Sequence, residues 1–461
     1  MQPSKAREFD ATQGALLKKI ILFAIPIMLT GILQQFYNAA DMMVVGRFSQ
    51  NGEVSLAAVG TTGALTNLMI GLFMGLSVGA GVSVAHHVGE RRYDQVSRVI
   101  HTSITLSIVL GVVVAIVGYF AAPTMLRWMG APEGAVRDNA VLYIRIIFMG
   151  FPASLLYNYC ASMLRSAGDA KHPLMFLSIS GVVNVLLNIV LVALFHLDVA
   201  GVAIATISAN YLSCVMILVY MGRSKDFMHF SPRRLCIDRE KLRKILYIGI
   251  PSGIQGCLFS FSNVLIQSAV NSFGDTMMAG AAAASNIESF IYVTLNALYH
   301  VALTFVGQNI GAKTYHNIKR IVWYCIGVVT TVGLVLGISI ILFNKPLIGL
   351  FAPGNEAVRE AALIKMRYIG FPYFLCGIME VLCGTMRAMG KSMTSMVISL
   401  CGACGVRVIW LQTMFKLFPV PGCVFLSYPI SWSLTVLAYV VLLSIELPRL
   451  LRSQKCESVE G

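Results

Sequence analysis

The chain has 461 residues, 57% of them hydrophobic and only 12% charged, with a mean hydropathy of +0.76. Soluble chains carry about 25% charged residues, so a water-soluble globular protein is excluded. The formal charge of +14 would suit nucleic acid, but the basic residues fall in loops between apolar stretches, which removes that reading.

The segment Met1 to Gln13, with Lys5 and Arg7, is polar and has no short apolar core with a small-residue cleavage site. The first apolar stretch is therefore expected to stay in the membrane. Crossing about 30 Å of hydrocarbon takes about 20 residues of helix. Twelve such spans are expected: 17–46, 54–85, 95–121, 137–164, 171–195, 199–222, 245–272, 277–310, 317–343, 357–386, 392–415 and 421–447. The fold class is thus an all-α polytopic membrane protein, with the lipid bilayer as its standing partner. Most of the 35 Lys and Arg lie on one side, including Lys18, Lys19, Arg91, Arg92, Arg98 and the run Arg233 to Lys244. The positive-inside rule then puts both termini in the cytoplasm of a bacterial inner membrane. Arg145, Lys365, Arg367 and Arg407 fall within spans, nearer helix ends.

The halves repeat. Gly89-Glu-Arg-Arg-Tyr93 aligns with Gly311-Ala-Lys-Thr-Tyr315 at an offset of 311 − 89 = 222. Arg98 aligns with Arg320, Val136-Arg137 with Val358-Arg359, Arg145 with Arg367, and Arg165-Ser-Ala-Gly168 with Arg387-Ala-Met-Gly390, at that same offset. Gly150-Phe-Pro152 and Gly370-Phe-Pro372 match two residues out of register, so a small slip is expected nearby. Six helices per repeat is an even number, which keeps both halves in one orientation: two parallel six-helix lobes with a cavity between them. The expected organisation is an N-lobe over 1–222, a basic cytoplasmic linker over 223–244, and a C-lobe over 245–461 ending in a short cytoplasmic tail. Gly71-x-x-x-Gly75-x-x-x-Gly79 is a small-residue stripe for close helix packing.

Three carboxylates fall within spans: Asp41, Glu288 and Glu380. Acids are expensive there, about 2.5–3.5 kcal/mol for Asp at a helix centre, and normally face a cavity or a partner. Asp41 follows Gln34, Gln35, Tyr37 and Asn38 on the first span, where Pro26 permits a bend. Its structural alternative is an interfacial acid paired with Arg47. Asn184 and Asn188, at i and i+4, share one face of span five. Glu380 occupies the repeat position of Asn158 (380 − 222 = 158), an acid against an amide. For Glu288 and Glu380, pairing with Arg367, Arg407 or a backbone group stands beside a functional role. No metal site is expected: the eight His show no ligand spacing, and Cys401-x-x-Cys404 lies in an apolar helix without a second pair.

Val306-Gly-Gln-Asn-Ile-Gly-Ala312, its weaker twin His86-His-Val-Gly89, the Arg165-Ser-Ala-Gly-Asp169 and Arg387-Ala-Met-Gly390 turns, Gly201-Val-Ala-Ile-Ala-Thr206, and Pro26 with Ala40-Asp41-x-x-x-x-Gly46 resemble the multidrug and toxic compound extrusion (MATE) family over nearly the whole chain. The resemblance implies the MATE/MOP-type fold and a transporter rather than an enzyme. It further implies export of amphipathic, often cationic, small molecules by alternating access, coupled to inward proton flow with sodium as the alternative. Within the family the chain looks more like the DinF-like branch than the NorM-like one, whose acids would fall at Phe259 and near Cys376. It departs from the DinF-like Asn-x-x-x-Asp on helix five, reading Asn188-Ile-Val-Leu-Val192. Carried over, Asp41, Asn188 and Thr206 are expected at the coupling-ion site, joined by Asn184, which shares the face of Asn188. Gln34, Tyr37, Asn38, Asn158, Glu288 and Glu380 are expected to meet substrate. No cofactor beyond the coupling ion is implied, and a monomer is expected. A lipid-linked oligosaccharide or precursor flippase is the alternative transporter; a polytopic enzyme would need clustered His or acids at catalytic spacing.

Overall fold

The computed structural model describes residues 10–49, 52–130, 133–349 and 355–460; the polar stretch 1–9 lies outside them. Among the described residues, eleven helices are long and apolar enough to span a bilayer, and a twelfth span results if Glu356–Ile369 and Tyr373–Ala388 are taken as one helix bent by 51°. Within these helices, backbone groups bond inside their own segment, as hydrocarbon requires. Phe120, Leu194 and Leu342, each at least 70% exposed, suit a lipid-facing surface.

The chain divides into two compact units. The first comprises 32–88 and 92–249. It holds the later part of α1 (Leu16–Phe48), α2 (Gly52–Gly89), α3 (Tyr93–Trp128), α4 (Ala135–Ser166), α5 (Lys171–Asn188) and α6 (Asp198–Arg223). Its core runs through Ile100, Leu126, Ile144, Phe148, Tyr159 and Met163. The α2 stripe ends at Gly79, where an added Cβ would run into the Ile245 carbonyl, so the small residue lets two backbones meet. The segment after α6 is held on α3: Ser231 N–H donates to His101 Nε2 at 3.2 Å, Asp238 N–H to Thr102 Oγ1 at 3.1 Å, and Tyr93 stacks on Phe227.

The second unit comprises 10–31, 89–91 and 250–461. Here lie most of α7 (Arg239–Asn271), α8 (Asp275–Gly311), α9 (His316–Leu342), α10 (Asn344–Gly349), α11 (Glu356–Ile369), α12 (Tyr373–Ala388), α13 (Ser392–Ser399), α14 (Val406–Gln412), α15 (Met414–Leu417) and α16 (Pro421–Glu460). The Val306–Ala312 motif has a structural task in it. Gln308 Oε1 accepts from Ala11 N–H at 3.2 Å, Asn309 Nδ2 donates to the Ala11 carbonyl at 3.0 Å, and Asn317 Nδ2 to the Thr12 carbonyl at 3.0 Å. The segment ahead of α1 is thereby strapped to the α8–α9 corner.

The repeat is visible in local backbone. Arg91 and Lys313, 313 − 91 = 222 apart, both adopt the left-handed conformation at φ 57° and 55°, which is uncommon for non-glycine residues. Gly168 and Gly390, also 222 apart, end α4 and α12 at positive φ. Each donates its N–H back to the arginine three residues earlier at 2.9 Å, a helix ending that favours glycine. Two expected spans are less regular than the sequence implies. The span 357–386 is the bent α11–α12 pair, whereas α4 continues through Pro152. The span 392–415 is α13, a π-helical turn over Leu400–Gly405, then α14 and α15.

A candidate ion-coupling site

Asp41 is brought against α5 and α6 by close contact between α1 and α5. Four residues before it, Tyr37 sets its ring where Gly181 has no side chain, and its hydroxyl donates to the Ser178 carbonyl at 3.3 Å. One helical turn along, Asn188 Nδ2 donates to Asp41 Oδ1 at 2.5 Å and to Asn184 Oδ1 at 3.2 Å. The i, i+4 amides therefore do share a face. Thr206 Oγ1 lies 3.4 Å from Asp41 Oδ2 but 2.9 Å from the Val202 carbonyl. A hydroxyl has one proton, and the shorter bond takes it. Asn184 Nδ2 reaches Thr206 Oγ1 only at 3.5 Å. Asn188 is fully buried, yet its Oδ1 has no donor among the described residues.

Pairing of Asp41 with Arg47 is corrected by this geometry: the carboxylate turns to α5 and α6, and exposed Arg47 forms no ion pair among the described residues. Val192, where a second acid was missing, is fully buried with Val44, Val45 and Val202, and Tyr143 packs on that cluster within electrostatic reach of Asp41. Tyr143 was missed from sequence because nothing local marks which face of α4 meets α1. Gln34 and Asn38 are exposed on α1, at i and i+4, and make no hydrogen bond among the described residues. Asn158 turns its Nδ2 to the Ser154 carbonyl of its own helix at 2.8 Å, so it does not join Asp41.

The acids of the second unit have separate partners. Glu288 pairs with Lys365 at 2.8 Å, not with Arg367 or Arg407, and Lys365 also donates to Ser285 Oγ at 2.5 Å. A cavity of about 20 Å³, bounded by Glu288, Lys365 and Tyr373, adjoins the pair. Glu380 accepts from Asn296 Nδ2 at 3.4 Å and from Tyr292. Two turns on from it, Arg387 donates to Tyr299 Oη at 2.7 Å and to Gln255 Oε1 at 2.8 Å, and Gln255 Nε2 donates to Ser399 Oγ at 3.0 Å. Arg407 is the second residue of α14, buried within the candidate span Ser392–Leu417. Cys404 Sγ reaches the Leu258 carbonyl at 3.6 Å while Cys401 is exposed, so the two thiols have different surroundings.

Eleven apolar crossings among the described residues, twelve with the bent pair taken as one, together with a repeated half and a half-buried carboxylate facing α5 and α6, define a polytopic α-helical membrane transporter. The MatE family model matches residues 26–190 and 251–411, most of the chain, and the chain belongs to that family of transporters. It is 28% identical to the probable multidrug resistance protein YoeA of Bacillus subtilis, over 91% of this chain and 92% of that one. It is 22% identical to the multidrug export protein MepA of Staphylococcus saprophyticus, over 97% and 98%. Among solved structures it superposes on an outward-facing multidrug resistance MATE family transporter of the MOP superfamily, with a TM-score of 0.90 at 20% identity, covering 98% of this chain and 100% of that one. A MOP superfamily transporter from Pyrococcus furiosus matches equally well, at 0.90 and 21%, over 98% and 99%. The fold is therefore the MATE/MOP fold.

Proposed function

We propose that the chain is a proton-coupled antiporter that exports amphipathic, often cationic, small molecules by alternating access, with Asp41 as the residue that takes up the driving ion. The observation that carries this reading is the Asp41–Asn188 contact. It ties a carboxylate inside a span to a fully buried amide, whose own Oδ1 has no donor among the described residues. A carboxylate in a span is retained for a task or a partner, and here the partners are neutral. Loading a proton removes the charge that attracts a cationic substrate; releasing it inside resets the site. The choice of proton over sodium is favoured by the oxygen inventory. Hard cations such as Ca²⁺ and Mg²⁺ gather six or more oxygens, and a sodium ion shares their preference for oxygen. Around Asp41 the Asn184 Oδ1 already accepts from Asn188, and no second carboxylate stands at Val192. The names of the relatives, multidrug resistance and multidrug export proteins, support the substrate class.

The same reading takes the chain as two lobes, 1–222 and 245–461, joined by a cytoplasmic linker, 223–244, and working as a monomer in a bacterial inner membrane with both termini inside. Purified protein in liposomes tests the mechanism. Under an imposed pH gradient the parent should drive uphill efflux of a fluorescent cation, and Asp41→Asn at matched incorporation should not. Undiminished uphill transport by Asp41→Asn removes Asp41 from the role, and efflux that follows a sodium gradient at fixed pH replaces the proton by sodium.

A further inference from the structure

After α6 the chain is pinned to α3 at two adjacent residues, Ser231 to His101 and Asp238 to Thr102. His101 is 3% exposed, and its Nδ1 lies 2.8 Å from the Ser97 carbonyl. A carbonyl only accepts, so Nδ1 donates there and Nε2 is left to accept from Ser231 N–H. Six residues, Pro232-Arg-Arg-Leu-Cys-Ile237, bridge the two pins, and all six are exposed. A stretch whose ends are fixed side by side has to loop outwards. Leu235 and Ile237 on it are 40% and 48% exposed. The guanidinium groups of Arg233 and Arg234 make no ion pair or hydrogen bond among the described residues. The adjoining acid, Asp238, is engaged elsewhere: it faces Arg98 at 3.8 Å and accepts from the N–H groups of Glu240 and Lys241 at the start of α7.

The helix that holds this loop also sets its depth. Ile108, Val109, Val112, Val113, Ile116 and Phe120 form an exposed apolar stripe along α3, the side that suits lipid. His101 and Thr102 precede Ile108 and Val109 by seven residues, close to two turns, so they lie on that same face about 10 Å before the stripe begins. The interfacial layer extends about 5–8 Å beyond each edge of the hydrocarbon. The loop therefore projects from the lipid-facing side of α3 at the level of the headgroups.

We propose that residues 233–237 are a lipid-binding loop: Arg233 and Arg234 take the phosphate of an anionic phospholipid, while Leu235 and Ile237 rest in the acyl boundary beneath it. A guanidinium matches phosphate oxygens bidentately. Basic residues beside apolar ones make up segments that lie in the headgroup layer, and clustered cations there select anionic lipids. The inference uses the membrane-spanning fold and is independent of the coupling ion, so its failure leaves the role of Asp41 standing.

A nitroxide on Cys236, in a full chain retaining that cysteine alone, tests the loop in nanodiscs. These carry the same lipids on both faces, so topology does not enter. Replacing phosphatidylcholine stepwise by phosphatidylglycerol should immobilise the label and shield it, saturably, from a water-soluble nickel chelate. An arginine near an anionic surface contributes about a fivefold preference. Arg233→Gln together with Arg234→Gln should thus weaken the preference about 25-fold. Arg233→Lys together with Arg234→Lys keeps both charges and should keep most of it. Equal shielding in the two lipids, or shielding that survives the glutamine pair, overturns the proposal. So does the same shielding in phosphatidylcholine discs given millimolar inorganic phosphate, which would make a free anion the ligand.

Discussion

Asn188 holds Asp41 Oδ1 at 2.5 Å with the same Nδ2 that holds Asn184 Oδ1 at 3.2 Å, so one amide group ties two helices and organises the face around the carboxylate. Removing it should affect function more than folding. Hydrogen bonds to charged groups are worth about 1.5–3 kcal/mol, and a tenfold change in affinity corresponds to about 1.4 kcal/mol. Asn188→Ala should therefore reduce gradient-driven efflux by about tenfold or more at normal membrane incorporation. Asn188→Asp, which removes the donor and adds a second carboxylate, should not restore it. Efflux by Asn188→Ala equal to the parent's would detach the amide from the coupling step.

The Tyr37–Gly181 contact makes a structural prediction for the same helix pair. A side chain at position 181 would occupy the space of the Tyr37 ring. Overpacking costs about 1–3 kcal/mol, so Gly181→Val should part α1 from α5, lower Tm and reduce efflux. Tyr37→Ala in the same chain should relieve the clash and recover part of the lost Tm, giving a measurable coupling between the two positions.

Glu288 and Lys365 should be inseparable. Breaking a buried ion pair by deleting one partner costs about 3–5 kcal/mol, because the other charge is left buried. Glu288→Gln should lower the Tm by more than the double variant Glu288→Gln, Lys365→Met, in which neither charge remains. A single variant as stable as the parent would mean that Lys365 finds another counter-charge.

The linker offers a native reporter. Cys236 is exposed on the segment held against α3. In a variant retaining Cys236 as its single cysteine, a membrane-impermeant maleimide should label it only after permeabilisation. Labelling in intact cells would reverse the assigned topology.

Much of the fold was legible because apolar length and loop charge are read residue by residue, and the repeat because the turns that end its helices need particular residues. Gly-Phe-Pro marks where that legibility stops. The same tripeptide stays helical in α4, yet in the other half it separates α11 from α12 by a 51° bend. Gly370 there lies with its carbonyl against Gly337, a tertiary contact that no local pattern encodes. The candidate site divides in the same way. Spacing placed Asn184 and Asn188 on one face, but the grouping of Asn188 with Asp41 came from the family resemblance, because contact between α1 and α5 has no local signal. The partner of Glu288 lies 365 − 288 = 77 residues away, and several cations within spans were equally eligible by sequence.

The strap at Ala11 and Thr12 has a consequence in time. Ala11 and the amide that grips its carbonyl, Asn309, are 298 residues apart. At a synthesis rate of about 5–20 residues per second, the first segment made waits roughly 15–60 s before its clasp exists. During that interval α1 lies in the membrane without the fastening that the finished protein gives it, and the α8–α9 corner is the step that ends the wait.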